Sequence, residues 1–390
     1  MKTIASSIEN ILGSSIRKMF NMAQGMEDTI SFALGEPGYV AAEHIALAAQ
    51  KAIRDGHTHY TVNAGILPLR EAIAQTMLRK KAVSYLAETE VMVTSGGVEA
   101  LYLAMKVLLN PGDEVILGAP YFPNYLGQIH MCGAIPKIIN LTEEDGFQYD
   151  VDVIEAAITD KTKILLLNSP SNPTGSVTEQ KRLQAIAALC VKRDLYLITD
   201  EVYQDFIYGE VDYFSIASCP QMKERTVIVD SFSKTYAMTG WRCGIALGPE
   251  KVIREMVKIQ ENVVSCVNTP TQYAAIAALE GPQDVLAEMK EQYAQNKELL
   301  VEEINHMPLI HVNNPMGAFY AFVNIKKTHM TSEEFAVALL KQARVVVVPG
   351  SGFGEAGEGY VRLSYVSSKE DMVEGLKRIR TFVTELEQKG

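Results

Sequence analysis

Cysteine is scarce in this chain of 390 residues. The five present, Cys132, Cys190, Cys219, Cys243 and Cys266, are odd in number, widely spaced and form no CxxC pair. A disulfide framework is therefore excluded, and the thiols read as reduced core residues of a cytoplasmic protein. Nothing beside any of them marks out a nucleophile. Positive charge is also short: 36 Lys and Arg stand against 47 Asp and Glu, a formal net charge of −11. A nucleic-acid binder needs a basic stripe to displace counterions, so a polyanionic partner is not expected. The densest basic stretch, Arg79-Lys80-Lys81, closes a helical segment, where cations complement the helix dipole. Long apolar runs are missing as well. None reaches the roughly 20 residues that span a bilayer, and residues 1–10 have no apolar core after Lys2, as a signal peptide would. His57 and His59 resemble a ligand pair, but no third ligand lies near them, so no metal site is expected.

What the chain does contain is core-forming material. Hydrophobic residues make up 47% and charged residues 21%, and the two are interleaved, which supports a buried core of one large or two moderate domains. From about residue 45 to 265, short β-rich runs alternate with helical stretches; the runs are 91–94, 115–118, 135–140, 163–168, 195–199, 226–230 and 244–248. Most are continuously apolar, the pattern of strands buried on both faces. Alternation with amphipathic segments such as 179–193 implies an α/β fold: a mostly parallel central sheet flanked by helices. Beyond residue 250 come long helical stretches at 249–263 and 282–305, apolar runs at 318–324, 344–348 and 360–365, and a helix over 369–388. This reads as a smaller α+β domain. The expected division is an N-terminal segment 1–44 joining the small domain or the cleft, a large domain 45–280, and a small domain 281–390.

In open α/β sheets, ligands sit beyond the carboxyl ends of the strands, and here several of those ends are polar. Run 91–94 leads into Ser95-Gly96-Gly97 and then a helix starting near Val98. Paired glycines let backbone NH groups approach an anion at a helix N-terminus, although such turns are common. Run 163–168 leads into Ser169-Pro170-Ser171-Asn172-Pro173-Thr174-Gly175, a loop stiffened by its prolines, with Asn172 held between two of them. Run 195–199 ends in Asp200-Glu201-Val202-Tyr203; a carboxylate after a buried strand needs a cationic or hydrogen-bonding partner. Helix capping would account for Asp200 equally well if it were taken alone. Run 226–230 ends in Ser231-Phe232-Ser233-Lys234, with Gly240-Trp241-Arg242 following. Hydroxyls and a guanidinium suit a phosphate, and a lysine crowded by cations and partly desolvated becomes nucleophilic toward a carbonyl. Gly352-Phe353-Gly354-Glu355-Ala356-Gly357 matches GxGxxG, but it runs toward a strand at 360–365 rather than opening a helix. It reads as a flexible loop over the cleft, not a dinucleotide fingerprint.

Together these residues resemble fold-type I pyridoxal-phosphate enzymes, class I/II aminotransferases in particular. The likeness runs from Leu34-Gly35-Glu36-Pro37 to Val361-Arg362-Leu363-Ser364. Its most specific piece is Ser231-Phe232-Ser233-Lys234 with Arg242 eight residues on; Cys243 departs from the aliphatic residue usual after that arginine. The resemblance implies pyridoxal 5'-phosphate held by Lys234 as an imine, with Lys234 then serving as acid and base. It implies that Asp200 pairs with the pyridinium nitrogen, that Tyr203 and Asn172 donate to the phenolate oxygen, and that Phe122 stacks on the ring. Gly97, Val98, Ser231 and Arg242 would hold the phosphate, Val98 through its backbone alone, joined by Tyr60 from the partner subunit of a homodimer; Gly96 and Ser233 would also bind the cofactor. Arg362 would clamp the substrate α-carboxylate, with Gly35 and Asn172 beside it. The implied activity is ping-pong amino transfer between an amino acid and a 2-oxo acid. A C–S β-lyase on the same fold is the alternative, tested by pyruvate release from cystathionine without a 2-oxo acid acceptor. A non-catalytic regulator would need a DNA-binding module, for which the chain has no spare length. Val98 stands where some acidic-substrate relatives carry a basic residue, which favours neutral amino acids as one partner.

Overall fold

A computed structural model describes residues 11, 13 and 15–389. Its twelve strands are β1 (Ile30–Ser31), β2 (Val91–Thr94), β3 (Glu114–Ala119), β4 (Ile135–Asn140), β5 (Thr162–Asn168), β6 (Tyr196–Asp200), β7 (Thr226–Ser231), β8 (Gly244–Leu247), β9 (Tyr320–Asn324), β10 (Val345–Val346), β11 (Val348–Pro349) and β12 (Tyr360–Ser364). Seven of them form one sheet in the order β2-β8-β7-β6-β5-β3-β4. Strands β3 to β7 are parallel, whereas β8 runs antiparallel to both of its neighbours, β2 and β7.

The apolar runs account for this layering. Every residue of β2, β3, β7 and β8 is buried. Successive strand side chains point to opposite faces. Ile164, Leu166 and Ile198 accordingly pack with the helix Gly97–Leu108, while Leu165, Leu167 and Leu197 pack with the helix Gln180–Lys192 on the other face. Burying each such side chain contributes about 1.5–3 kcal/mol, so both faces have to be covered. Strand β4 differs from the expectation of two-sided burial. Its residues are largely exposed or half-buried; it lies at one edge of the sheet, whereas β2 at the other edge is wholly buried.

The valine-rich apolar run 344–348 does not form one continuous strand. It is cut in two: β10 pairs with β1, and β11 pairs with β12 in a separate antiparallel sheet of order β11-β12-β9. Apolarity reports burial and not the partner, so the break between the two pairings left no trace in the composition. Through β1, the N-terminal segment joins the elements formed by the last third of the chain. The Gly352–Gly357 stretch is two short 3-10 turns, and the Phe353 carbonyl accepts from the Tyr121 amide. Among the described residues, no helix is long and apolar enough to cross a membrane, and no cluster of His, Cys, Asp or Glu could hold a metal ion.

Candidate active site

Strands β2, β5, β6 and β7 end on the same side of the sheet, and a cavity of about 230 Å³ opens there. Its wall includes Gly35, Gly97, Val98, Phe122, Asn172, Asp200, Tyr203, Ser231, Ser233, Lys234, Arg242 and Arg362. Two expected residues are not on that wall. Gly96 lies just behind Arg242. Tyr60 is 89% exposed and is not brought to the cavity by its own chain.

Lys234 is placed by a short helix, Phe232–Thr235, whose N-cap Ser231 accepts from the Ser233 amide through its hydroxyl. Lys234 Nζ donates to the Gly35 carbonyl. Burial pushes its pKa down to about 8; Glu36 opposes that shift, while Arg362 and Arg242 reinforce it. At pH 7, a lysine of pKa 8 holds roughly a tenth of its amine neutral, about 300-fold more than an unperturbed one. The Lys234 amine is therefore partly unmasked before any ligand arrives.

Asp200 closes β6, and burial lifts its pKa to about 6. Two donors oppose that rise, the Tyr125 hydroxyl at 2.7 Å and the Val202 amide at 3.3 Å. Its neighbour Glu201 is fully engaged elsewhere. It accepts from Lys81 and Tyr213, from Ser215 at 3.0 Å and from Thr199 at 3.1 Å. This corrects the reading of Arg79-Lys80-Lys81 as a plain helix end. The Lys81 side chain is fully buried against Glu201, and Lys80 pairs with Asp205. No sequence rule for helix termini anticipates a partner 120 residues away.

Arg362 lines the same cavity as Asp200, and its side chain is wholly buried. Its Nη1 donates to Asn172 Oδ1 at 3.0 Å and its Nη2 to the Ala33 carbonyl at 2.9 Å, while Nε has no partner. Among the described residues it makes no ion pair. A buried guanidinium without an anion is costly, and burial lowers its pKa. Guanidinium offers only donors, so the amide oxygen of Asn172 must face it, which leaves the NH2 as that side chain's remaining polar group.

At the β2 end, Gly96 has φ +86°, and a Cβ there would lie 2.4 Å from Arg242 Nη2. A Cβ on Gly244 would lie 2.3 Å from the Gly96 carbonyl carbon. Only glycines permit this close meeting of the β2 turn, the start of β8 and Arg242. With the first turn of helix Gly97–Leu108 and the hydroxyls of Ser231 and Ser233, they make a cradle suited to a dianion.

Among the wall residues to which the sequence reading gave no role are Tyr125, Asn168 and Tyr320. Asn168 ends β5 and accepts from the Asn172 amide at 2.9 Å, and its place at a strand end was a usable signal. Tyr125 and Tyr320 carried none, since aromatic residues on a helix and a strand usually mean core.

The chain is similar over nearly its whole length to known proteins. The family described as aminotransferase class I and II matches residues 27–379. An aspartate aminotransferase of Pyrococcus abyssi is 42% identical over 95% of this chain and 96% of its own. An aromatic-amino-acid aminotransferase of Thermococcus litoralis is 40% identical over 98% of both. Among solved structures, an aromatic aminotransferase from Pyrococcus horikoshii superposes with TM-score 0.90 at 40% identity, covering 95% of this chain and 99% of the other. The Thermus thermophilus aspartate aminotransferase with maleate superposes with TM-score 0.93 at 34% identity, covering 98% and 100%. The chain belongs to the class I and II aminotransferases.

Proposed function

We propose that this pyridoxal-phosphate-dependent aminotransferase moves an amino group between a neutral amino acid and a 2-oxo acid, with Lys234 as the residue that holds the cofactor and shuttles the proton. The observation that carries this is the convergence of a pKa-lowered amine, a buried carboxylate and an unneutralised buried guanidinium on one cavity.

The cofactor's three polar ends fit the residues present. The glycine turn, Ser231, Ser233 and Arg242 form the anion cradle; a Cβ at Gly96 would disrupt it. Asp200, raised toward neutrality by burial, gains from a cationic ring nitrogen. Tyr203 and Asn172 would donate to the ring oxygen, and Phe122 would offer a flat apolar wall. When bound, the cofactor supplies an electron sink for the pair released at the substrate's Cα. Arg362 binds the α-carboxylate and so orients the Cα–H bond. Lys234 Nζ takes that proton and returns it two bonds away, on the far side of the nitrogen, a 1,3-shift.

Exposure of Tyr60, together with Val40 and Val62, supports a homodimer in which Tyr60 reaches the partner's anion cradle. We place the protein in the cytoplasm and divide it at 44/45 and 280/281, as composition and texture favour. Another cavity of about 450 Å³ adjoins the first at Val98, with Ile11, Tyr102, Tyr121, Leu126 and Met131 on its wall and, among the described residues, no Lys or Arg. This supports a neutral side chain on one substrate. The relatives' names, aspartate in one and aromatic in another, favour neither class.

Borohydride reduction of the loaded protein should fix the cofactor on the peptide carrying residue 234. Lys234→Ala should lose both that adduct and turnover with 2-oxoglutarate. Wild-type turnover by the variant would refute the assignment.

A further inference from the structure

Tyr320 is not among the residues that the sequence marked, yet it touches both halves of the site. In the β9–β12 register, Tyr320 faces Ser364, and Arg362 faces Phe322. Tyr320 and Arg362 are therefore diagonal neighbours on one face. The register sets the tyrosine ring over the guanidinium, 4.4 Å from Cζ to centroid. At its other end, the Tyr320 hydroxyl lies 3.0 Å from the Tyr203 hydroxyl. Both rings are buried, and burial holds both phenols protonated.

Each phenol carries one proton. When Tyr203 spends its proton on the cofactor's ring oxygen, its own oxygen becomes the acceptor for Tyr320. Any other arrangement leaves a buried hydroxyl unsatisfied, at a cost of about 1–3 kcal/mol. We propose that Tyr320 is a positioning residue that joins the carboxylate clamp to the cofactor's oxygen, its ring fixing Arg362 and its hydroxyl fixing the direction of the Tyr203 proton. Chained donation polarises each bond in turn, so Tyr203 donates more strongly with Tyr320 behind it. This inference rests on the cofactor reading given above.

The test uses the full-length protein loaded with pyridoxal phosphate. Tyr320→Phe keeps the ring over Arg362 and removes only the hydroxyl. The pH midpoint of the bound cofactor's visible absorbance should rise by roughly 0.3–0.6 unit, because the ring oxygen's anion loses support. The KM for the amino acid should stay within about twofold. Tyr320→Leu removes the ring too and should raise that KM roughly tenfold or more. In a Tyr203→Phe background, Tyr320→Phe should shift the midpoint no further. A midpoint unchanged by Tyr320→Phe, an equal shift in the Tyr203→Phe background, or an unchanged KM in Tyr320→Leu would each overturn the proposal. Failure of the wild-type apoprotein to take up pyridoxal phosphate would instead sink the cofactor reading.

Discussion

Replacing Asp230 with Asn should make the apoprotein's stability less dependent on pH. Asp230 lies near the end of β7, buried, just ahead of the turn that carries Lys234. Its carboxylate accepts from the Ser231 amide at 2.7 Å and from Gln204 Nε2. Burial lifts its pKa from 3.8 to about 7; Asp205 adds to the rise, while Lys81 and Lys80 oppose it. Because the folded value lies above the unfolded one, the native state holds a proton that the unfolded chain releases. The stabilising contribution is complete below pH 3.8, is lost progressively as pH rises to about 7, and is flat above that. Three pK units correspond to about 4 kcal/mol over the full window, of which about 2–3 kcal/mol falls between pH 5 and 8. The amide that replaces the carboxylate does not titrate. Its oxygen can keep the Ser231 amide, and its NH2 can meet Gln204 Oε1, which now has no partner, if the Gln204 amide turns over. Urea unfolding of the apoprotein at pH 5, 6, 7 and 8 should therefore show the variant gaining on the wild type with each step to pH 7. Parallel stability curves across that range would refute the reasoning.

Two further substitutions probe the supports of the site. Lys81→Met strands the Glu201 carboxylate among neutral donors and should cost about 3–5 kcal/mol in denaturant unfolding; adding Glu201→Gln should recover most of it, and a loss below about 1 kcal/mol would show that the pair is not what holds the loop. Gly96→Ala pushes a methyl group toward Arg242 at a backbone angle unfavourable to alanine and should weaken pyridoxal-phosphate uptake roughly tenfold or more. The single tryptophan, Trp241, beside Arg242, provides the fluorescence signal for that titration, in which an unaltered dissociation constant would count against the cradle.

The sheet was legible because its strands are apolar runs that end in glycine, proline or charge, and each ending marks the edge of the buried layer. Asp200, Lys234 and Asn172 were legible for a related reason: a polar group at the end of a buried strand, or within four residues beyond it, needs an explanation. Tyr125 and Tyr320 were not, because each reaches the cavity from an element whose pattern reads as ordinary core. Lys81 was hidden for the opposite reason, since a lysine at a helix end looks complete without a partner. The split of the valine run into β10 and β11 depends on which strands happen to lie beside it, and that is a property of the folded whole.

The reversed direction of β8 governs where its first residues fall. Had it run parallel with β7, its start would lie at the far edge of the sheet, about 13 Å away along a four-residue strand. Running the other way, it delivers the guanidinium at position 242 to the level where two parallel neighbours finish. The anion cradle is thus assembled from two strand exits and one strand entrance, contributed by segments near residues 96, 231 and 242. No excised peptide carries it, and inverting that one strand would dismantle it while leaving every cradle residue in the chain.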